Sequence, residues 1–311
     1  NNTVVDLLAI GSEMLRGEVL YRQAKYDEAY AALRRAIVLE DTLPYDEPWG
    51  WMQPVRHALG ALLLEQGHKD EAEGIMKFSI QLSADYPSKD YGGDRVYQDM
   101  LDQAVLADRL GFDAVSITEH HLMNCLMMPA PLQFAVKIAA MTSQLNIMTS
   151  IVVLPLHDMR IYAGEVVVAD IFTEGRLLLG VGRGAFPYEM ERFGVPMDET
   201  QDRFNESLEV LQALLTQEEV SWDGKYYQFD PLTIMPRPVR PGGPPMMMAV
   251  MNPEGIYHCT KRGFHIQTTP LSGNHQLLLD QVNAFNKAKD EMGAKDGEVT
   301  LTLSRVAHMG H

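Results

Sequence analysis

Three short segments concentrate side chains that can do chemistry. The first is Thr118-Glu119-His120-His121, which follows an apolar, β-branched run and so closes a strand. Imidazole titrates near neutrality and can pass a proton in either direction. Adjacent residues at a strand end point oppositely, so one histidine enters a site while the other packs or hydrogen-bonds. On residue type alone, such a pair is more often structural than catalytic. Glu119 can orient a histidine or serve as an acid; a capped surface carboxylate is the equal alternative. No metal is expected, because Glu-His-His lacks the HExxH spacing that places two ligands on one helix face.

The second segment is Gly180-Val181-Gly182-Arg183-Gly184. A turn rich in glycine lets backbone amides approach an anion, and a guanidinium grips phosphate oxygens bidentately. No GxGxxG follows, so this is not a dinucleotide fingerprint, and a surface arginine is the plain alternative. The third segment ends a strand at Ala249 and opens a helix at Pro253. Proline suits a first helical position, and the unpaired amides of a helix start can bind phosphate. Here only backbone donors and the Asn252 amide, with Gly255, are on offer; a simple cap explains the segment equally well. The chain also holds 19 methionines, which suit core filling better than a flexible substrate pocket.

The elements that must position these residues form two kinds of sequence. Residues 5–75 carry apolar positions at helical spacing. Gly17-x-x-Leu20 followed by Tyr26-Asp27-Glu28-Ala29 is echoed by Gly60-x-x-Leu63 followed by Lys69-Asp70-Glu71-Ala72. Small residues at 17 and 60 are expected to let antiparallel helices approach. The pattern resembles tetratricopeptide hairpins, with a Pro-rich turn at 43–50 breaking the period. An unspecialised helical bundle is the alternative. Met76 then precedes a strand-like stretch, so a fusion junction, natural or artificial, is expected near 75/76. From residue 77 strands and helices alternate. Strands are expected at 77–83, 113–118, 145–154, 176–182, 245–251, 266–270 and 299–307. Helices are expected at 97–110, 131–142, 161–172, 203–215, 253–262 and 275–292, with a hairpin turning at Asp223-Gly224. Continuous apolar strands between helices predict a parallel sheet covered on both faces. Seven such strands suit a TIM (β/α)8-type barrel lacking its last strand and helices, preceded by an all-α segment.

The 311 residues, 46% hydrophobic and 22% charged, exclude a disordered or collagen-like chain. A formal net charge of −16 argues against nucleic acid and anionic membranes as partners. Two cysteines, Cys125 and Cys259, build no disulfide framework. No signal peptide or spanning segment is visible, so a cytoplasmic setting is expected.

Residues 76–311 resemble the bacterial luciferase-like flavin monooxygenase family. The resemblance rests on several segments in family order: Thr118-Glu119-His120-His121, Leu145-Asn146-Ile147 to Leu154-Pro155, and Gly175 to Gly184. Arg192-Phe193-Gly194, Tyr226-Tyr227 with Phe229, Pro236-Arg237-Pro238 and Pro244-Pro245 extend it. It implies a TIM barrel, a catalytic role for His120, and Arg183 as the phosphate clamp for FMN. It places a non-prolyl cis peptide at Ser150-Ile151, beneath the flavin ring. With Gly182, Gly184, Ala249, Asn252 and Gly255, these residues complete the implied cofactor site. Luciferases carry Cys where this chain has Gly182 and Tyr where it has Phe186, which makes light emission doubtful. The family takes reduced FMN from a separate flavin reductase and, with dioxygen, oxidises an aldehyde or similar small apolar substrate. Relatives use a deazaflavin for hydride transfer on the same scaffold. Dimers commonly form through the helices here at 131–142 and 161–172. A protein partner is the expected ligand of residues 1–75. The third possibility is a helical interaction module joined to an inactive barrel, since the expected eighth strand and the lid after strand seven are not in the sequence.

Overall fold

The structure, a computed structural model, describes residues 4–41, 55–68, 71, 77–85, 88–269, 275–295 and 297–304. The chain divides into two compact units, an N-terminal helical one and one built on a parallel sheet starting at Ser79.

In the helical unit, α1 (Val4–Arg22) and α2 (Tyr26–Asp41) form a hairpin, followed by α3 (Val55–Glu65). Ile10, Met14 and Tyr21 meet Ala29, Tyr30 and Leu33 of α2 and Leu59, Leu62 and Leu63 of α3. At Gly17 a Cβ would stand 2.7 Å from Leu33 Cγ, so a glycine is what lets α1 and α2 approach. At Gly60 no described atom lies within 4 Å of the Cβ position, and the helix it was expected to approach lies almost wholly outside the described residues. The buried face of α3 runs through Val55, Ala58, Leu59, Leu62 and Leu63, and Gly60 lies off it. Ala72, the 43–50 turn and the 75/76 junction lie outside the described residues.

The sheet unit alternates as expected. Its first half comprises β1 (Ser79–Gln81), α4 (Gly93–Leu110), β2 (Ala114–Ile117), α5 (Pro131–Ala139), β3 (Asn146–Thr149), β4 (Val152–Val153) and α6 (Met159–Phe172). Then come β5 (Leu177–Gly182), α7 (Pro187–Arg192), α8 (Thr200–Thr216) and an antiparallel hairpin of β6 (Val220–Asp223) and β7 (Gln228–Leu232). The chain closes with β8 (Met246–Ala249), α9 (Pro253–Lys261), β9 (His265–Thr268), α10 (His275–Met292), which belongs to this unit from Asp280 onward, and β10 (Leu301–Leu303). The strand order is β1-β2-β3-β5-β8-β9-β10, with β4 added against β5, and every pairing on this path is parallel. Among the described residues β1 and β10 each have one neighbour, so the curled sheet is an open half-barrel.

The run 145–154, expected as one strand, is two. A cis peptide joins Ser150 to Ile151 between β3 and β4. Across it the register against β5 slips by one residue, from Met148↔Leu178 to Val152↔Val181. The short helix α7 has no counterpart among the expected helices.

Side-chain alternation sorts the sheet into two faces. Val115, Ile117, Ile147, Leu177, Leu179, Val181 and Ile266 pack in the main core with the helices, whereas Ala114, Met148 and Met247 form a separate inner cluster with Leu178. Met128, Met247 and Met248 are buried, which makes these methionines core filling.

Candidate active site

In a parallel sheet every strand ends on the same side. His120 follows β2, Ser150 follows β3, Arg183 follows β5 and Asn252 follows β8. The residues singled out in the sequence therefore share the C-terminal edge of the curled sheet. The Phe186 ring, three residues past Arg183, stands edge-on to the His120 ring with centroids 5.0 Å apart.

Each histidine of the pair answers to its own buried carboxylate. His120 Nδ1 lies 3.3 Å from Glu189 Oε2. The other oxygen of Glu189 accepts the His121 backbone N–H. Glu189 is fully buried on α7. The His121 ring turns instead to Glu119, with Nε2 2.8 Å from Oε1, and packs edge-on against Phe193. His157, after β4, brings its Nε2 to 2.7 Å from the same Glu119 oxygen. The second oxygen of Glu119 accepts the Val153 N–H at 2.6 Å. Glu119 is thus neither a surface carboxylate nor the orienter of His120; it is 1% exposed and binds the loops after β2 and β4 together. Its own N–H donates to the Ile151 carbonyl across the cis junction at 3.2 Å.

Electrostatics follows from these contacts. Burial pushes the Glu119 carboxyl upward, but hydrogen bonds from His121 and His157 and the Val153 amide outweigh it, so the group stays ionised below the ordinary carboxylate range. The hydrogen bond to Glu119 raises His121 above the ordinary imidazole value, against the opposing effect of burial. An ionised carboxylate only accepts, so both Nε2 atoms facing it carry hydrogen. The Tyr162 ring lies against His157 with centroids 4.4 Å apart. Tyr227, from the Tyr226-Tyr227 pair, donates its hydroxyl to the His157 carbonyl at 3.0 Å and fixes that loop to the β6–β7 hairpin.

Arg183 is exposed, and among the described residues its hydrogen bond is a long one of 3.4 Å from Nη1 to Thr200 Oγ1. The remaining guanidinium donors suit an anion. The glycines beside it are sterically required. A Cβ on Gly182 would meet Ile151 Cδ1 at 2.4 Å, just past the cis bond. Gly184 has φ +82°, and its Cβ would lie 2.9 Å from both Val153 Cγ1 and Met190 Sδ. A phosphate-bearing cofactor fits this set: an exposed fork of donors on a turn too crowded for side chains.

The other expected contacts are partly committed elsewhere. Asn252 caps α9, its Oδ1 accepting the Gly255 N–H at 2.6 Å, so that amide and that oxygen satisfy each other. This is the simple cap given as the alternative; the Asn252 Nδ2 donors and the other helix-start amides lie outside that bond. At Gly255 a Cβ would meet Val250 Cγ1 at 2.7 Å. Ala249 is exposed at the end of β8, in register with Gln267. Ser150 Oγ accepts from Gln267 Nε2 at 2.6 Å, and the same nitrogen reaches Ser304 Oγ at 2.9 Å. Sequence reasoning missed Glu189, His157 and Gln267, which lie 37 to 117 residues from their partners. No local spacing marks them.

Among the described residues no cluster of His, Cys, Asp and Glu is arranged to hold a metal, and no helix is long and apolar enough to cross a membrane.

Comparison with known proteins agrees with this geometry. Residues 76–311 match the family model described as luciferase-like monooxygenase. The oxygenase component of a flavin-dependent trigonelline monooxygenase from Acinetobacter baylyi is 29% identical over 216 residues, covering 68% of this chain and 59% of that protein. Among solved structures, the monooxygenase RslO1 from Streptomyces bottropensis superposes with a TM-score of 0.67 at 26% identity, covering 73% of this chain and 70% of that one. An F420-dependent secondary alcohol dehydrogenase shares the fold, with a TM-score of 0.59 at 21% identity over 73% of this chain and 68% of that one. The chain spans 52% and 59% of the length of the first curated relatives it matches.

Proposed function

The chain belongs to the luciferase-like monooxygenase family, and we propose that residues 76–311 act as the oxygenase of a two-component flavin system. The substrate is an aldehyde or similar small apolar molecule, and a separate flavin reductase delivers reduced FMN. What supports the reading above all is the meeting of His120 and the Arg183 turn at one edge of the sheet, beside the Ser150-Ile151 cis bond. The relative named as an oxygenase component supports the two-component arrangement.

Arg183 and the amides of 182–184 hold the cofactor phosphate, with Asn252 Nδ2 and the start of α9 beside them. Ser150, Ile151 and Ala249 line the ring site. His120 holds and moves a proton at the reacting centre. Glu119 acts through the backbone it fixes. A bound reduced flavin supplies the electrons that activate dioxygen. Residues 1–75 form a separate helical domain of tetratricopeptide type that takes a protein partner. The barrel units pair through α5 and α6, where Ile161 and Phe172 are 65% and 63% exposed.

Anaerobic titration with reduced FMN and with reduced deazaflavin, followed by aldehyde turnover with a flavin reductase, tests the reading. FMN binding and aldehyde oxidation lost in His120→Ala are expected. Preference for the deazaflavin would move the chain to hydride transfer, the alternative on this scaffold. Binding of neither cofactor would leave the interaction-module reading.

A further inference from the structure

We propose that Glu189 is a positioning residue that sets the tautomer of His120, keeping the proton on Nδ1 and leaving the Nε2 lone pair as the base. Glu189 is fully buried, and its two oxygens face two different groups. One accepts the backbone N–H of His121 and the other lies 3.3 Å from His120 Nδ1. Backbone N–H can only donate, so the first oxygen is committed. As a carboxylate Glu189 can only accept across the second contact as well, which places the hydrogen on Nδ1. No Arg or Lys bonds to Glu189 among the described residues.

The isosteric change Glu189→Gln makes the assignment sharp. An amide has one oxygen, and the fixed His121 N–H claims it. The NH2 group is then turned to His120 Nδ1 and requires an acceptor there, so the proton moves to Nε2. His121 supplies an internal control. Its Nε2–H is set by Glu119, not Glu189, and is expected not to change. The tautomer is independent of the catalytic reading; only the use of the Nε2 lone pair rests on it.

The test is nitrogen NMR of imidazole-labelled protein, with the His120 signals assigned by their loss in His120→Asn. The wild type is expected to show pyrrole-type Nδ1 and pyridine-type Nε2 at residue 120. Glu189→Gln is expected to exchange the two, and Glu189→Asp, which keeps the carboxylate, to hold the wild-type pattern. His121 is expected to stay unchanged in both variants. A wild-type His120 protonated on Nε2 alone, or a pattern untouched by Glu189→Gln with His121 intact, overturns the proposal. If Glu189→Gln does not fold, the wild-type tautomer still decides. Oxidation of aldehyde by the FMN-loaded enzyme is measured separately. A kcat reduced tenfold or more with KM unchanged goes with the tautomer exchange, whereas a correct tautomer in an inactive wild type would remove the monooxygenase reading and leave the positioning role standing.

Discussion

Replacing Glu119 with Leu removes the acceptor on which three donors converge, His121 Nε2, His157 Nε2 and the Val153 amide. A hydrogen bond to a charged group contributes about 1.5–3 kcal/mol, but the three share one carboxylate and do not add. Deleting one partner of a buried charged cluster costs about 3–5 kcal/mol, and that is the expected loss at pH 5.5. The pH dependence has a definite sign on each side. The Glu119 carboxyl is depressed in the folded state, so its contribution is present above the ordinary value of about 4.3. It is lost as pH falls through the folded value. His121 is raised, so its contribution is full below about 6.5 and is lost as pH rises through its folded value. Both act together between roughly pH 4.5 and 6.5. The gap between wild type and variant should be widest there and should narrow toward pH 3 and pH 9. Urea unfolding read by hydrogen exchange in peptides from β2 to β4 isolates the sheet unit from the N-terminal helices. A loss below about 1 kcal/mol at pH 5.5, or one that does not vary with pH, would refute the reasoning.

Three further outcomes follow from single contacts. Gly180→Ala puts a Cβ 1.9 Å from the Thr149 carbonyl oxygen, whereas at Gly182 the new atom meets the mobile end of Ile151 at 2.4 Å. Backbone yields less than a methyl, so Gly180→Ala should exceed the ~1–3 kcal/mol of ordinary overpacking while Gly182→Ala stays within it; equal unfolding midpoints would contradict this. Arg183→Ala should weaken FMN binding about 10–100-fold, the loss of a charge-assisted contact of about 1.5–3 kcal/mol. Unchanged quenching of flavin fluorescence would take the guanidinium out of the site. Asn252→Ala removes the α9 cap and should cost about 1 kcal/mol, visible as faster amide exchange at 254–256; full protection there would show that the cap is idle.

The strands were legible because central parallel strands are covered on both faces and read as unbroken apolar runs. That same signal hid the break in 145–154, since a β-branched run carries no mark of a one-residue slip in register. Here the resemblance named the cis bond, and composition did not. His120 and Arg183 could be assigned to one edge from sequence because each ends a strand of a parallel sheet, and topology does the rest. The two carboxylates were harder. Glu189 lies in Pro187-Tyr188-Glu189, where no element was expected, and His157 lies in a loop. Their partners are reached through the path of the chain across neighbouring strands, which no local period records. Gly60 copies the local pattern of Gly17, but the helix it was expected to meet lies almost wholly outside the described residues.

The two carboxylates differ in what they connect. Glu119 belongs to the same strand end as both histidines, and through Val153 and His157 it fixes only the segment that follows the cis bond. It therefore stiffens the floor of the site without touching His120. Glu189 belongs to α7, which begins three residues after Gly184, in the same connection that carries Arg183. Arg183 and the carboxylate facing His120 are thereby linked through one short stretch of backbone. Gly184 stands between them at φ +82°, packed against Val153 and Met190. A residue there is free neither to widen the turn nor to accept a side chain, so the spacing between the anion site and Glu189 is set by the backbone itself. Under the proposed function, the carboxylate facing His120 and the guanidinium that would hold the cofactor phosphate share one short connection, which a carboxylate from β2 could not do.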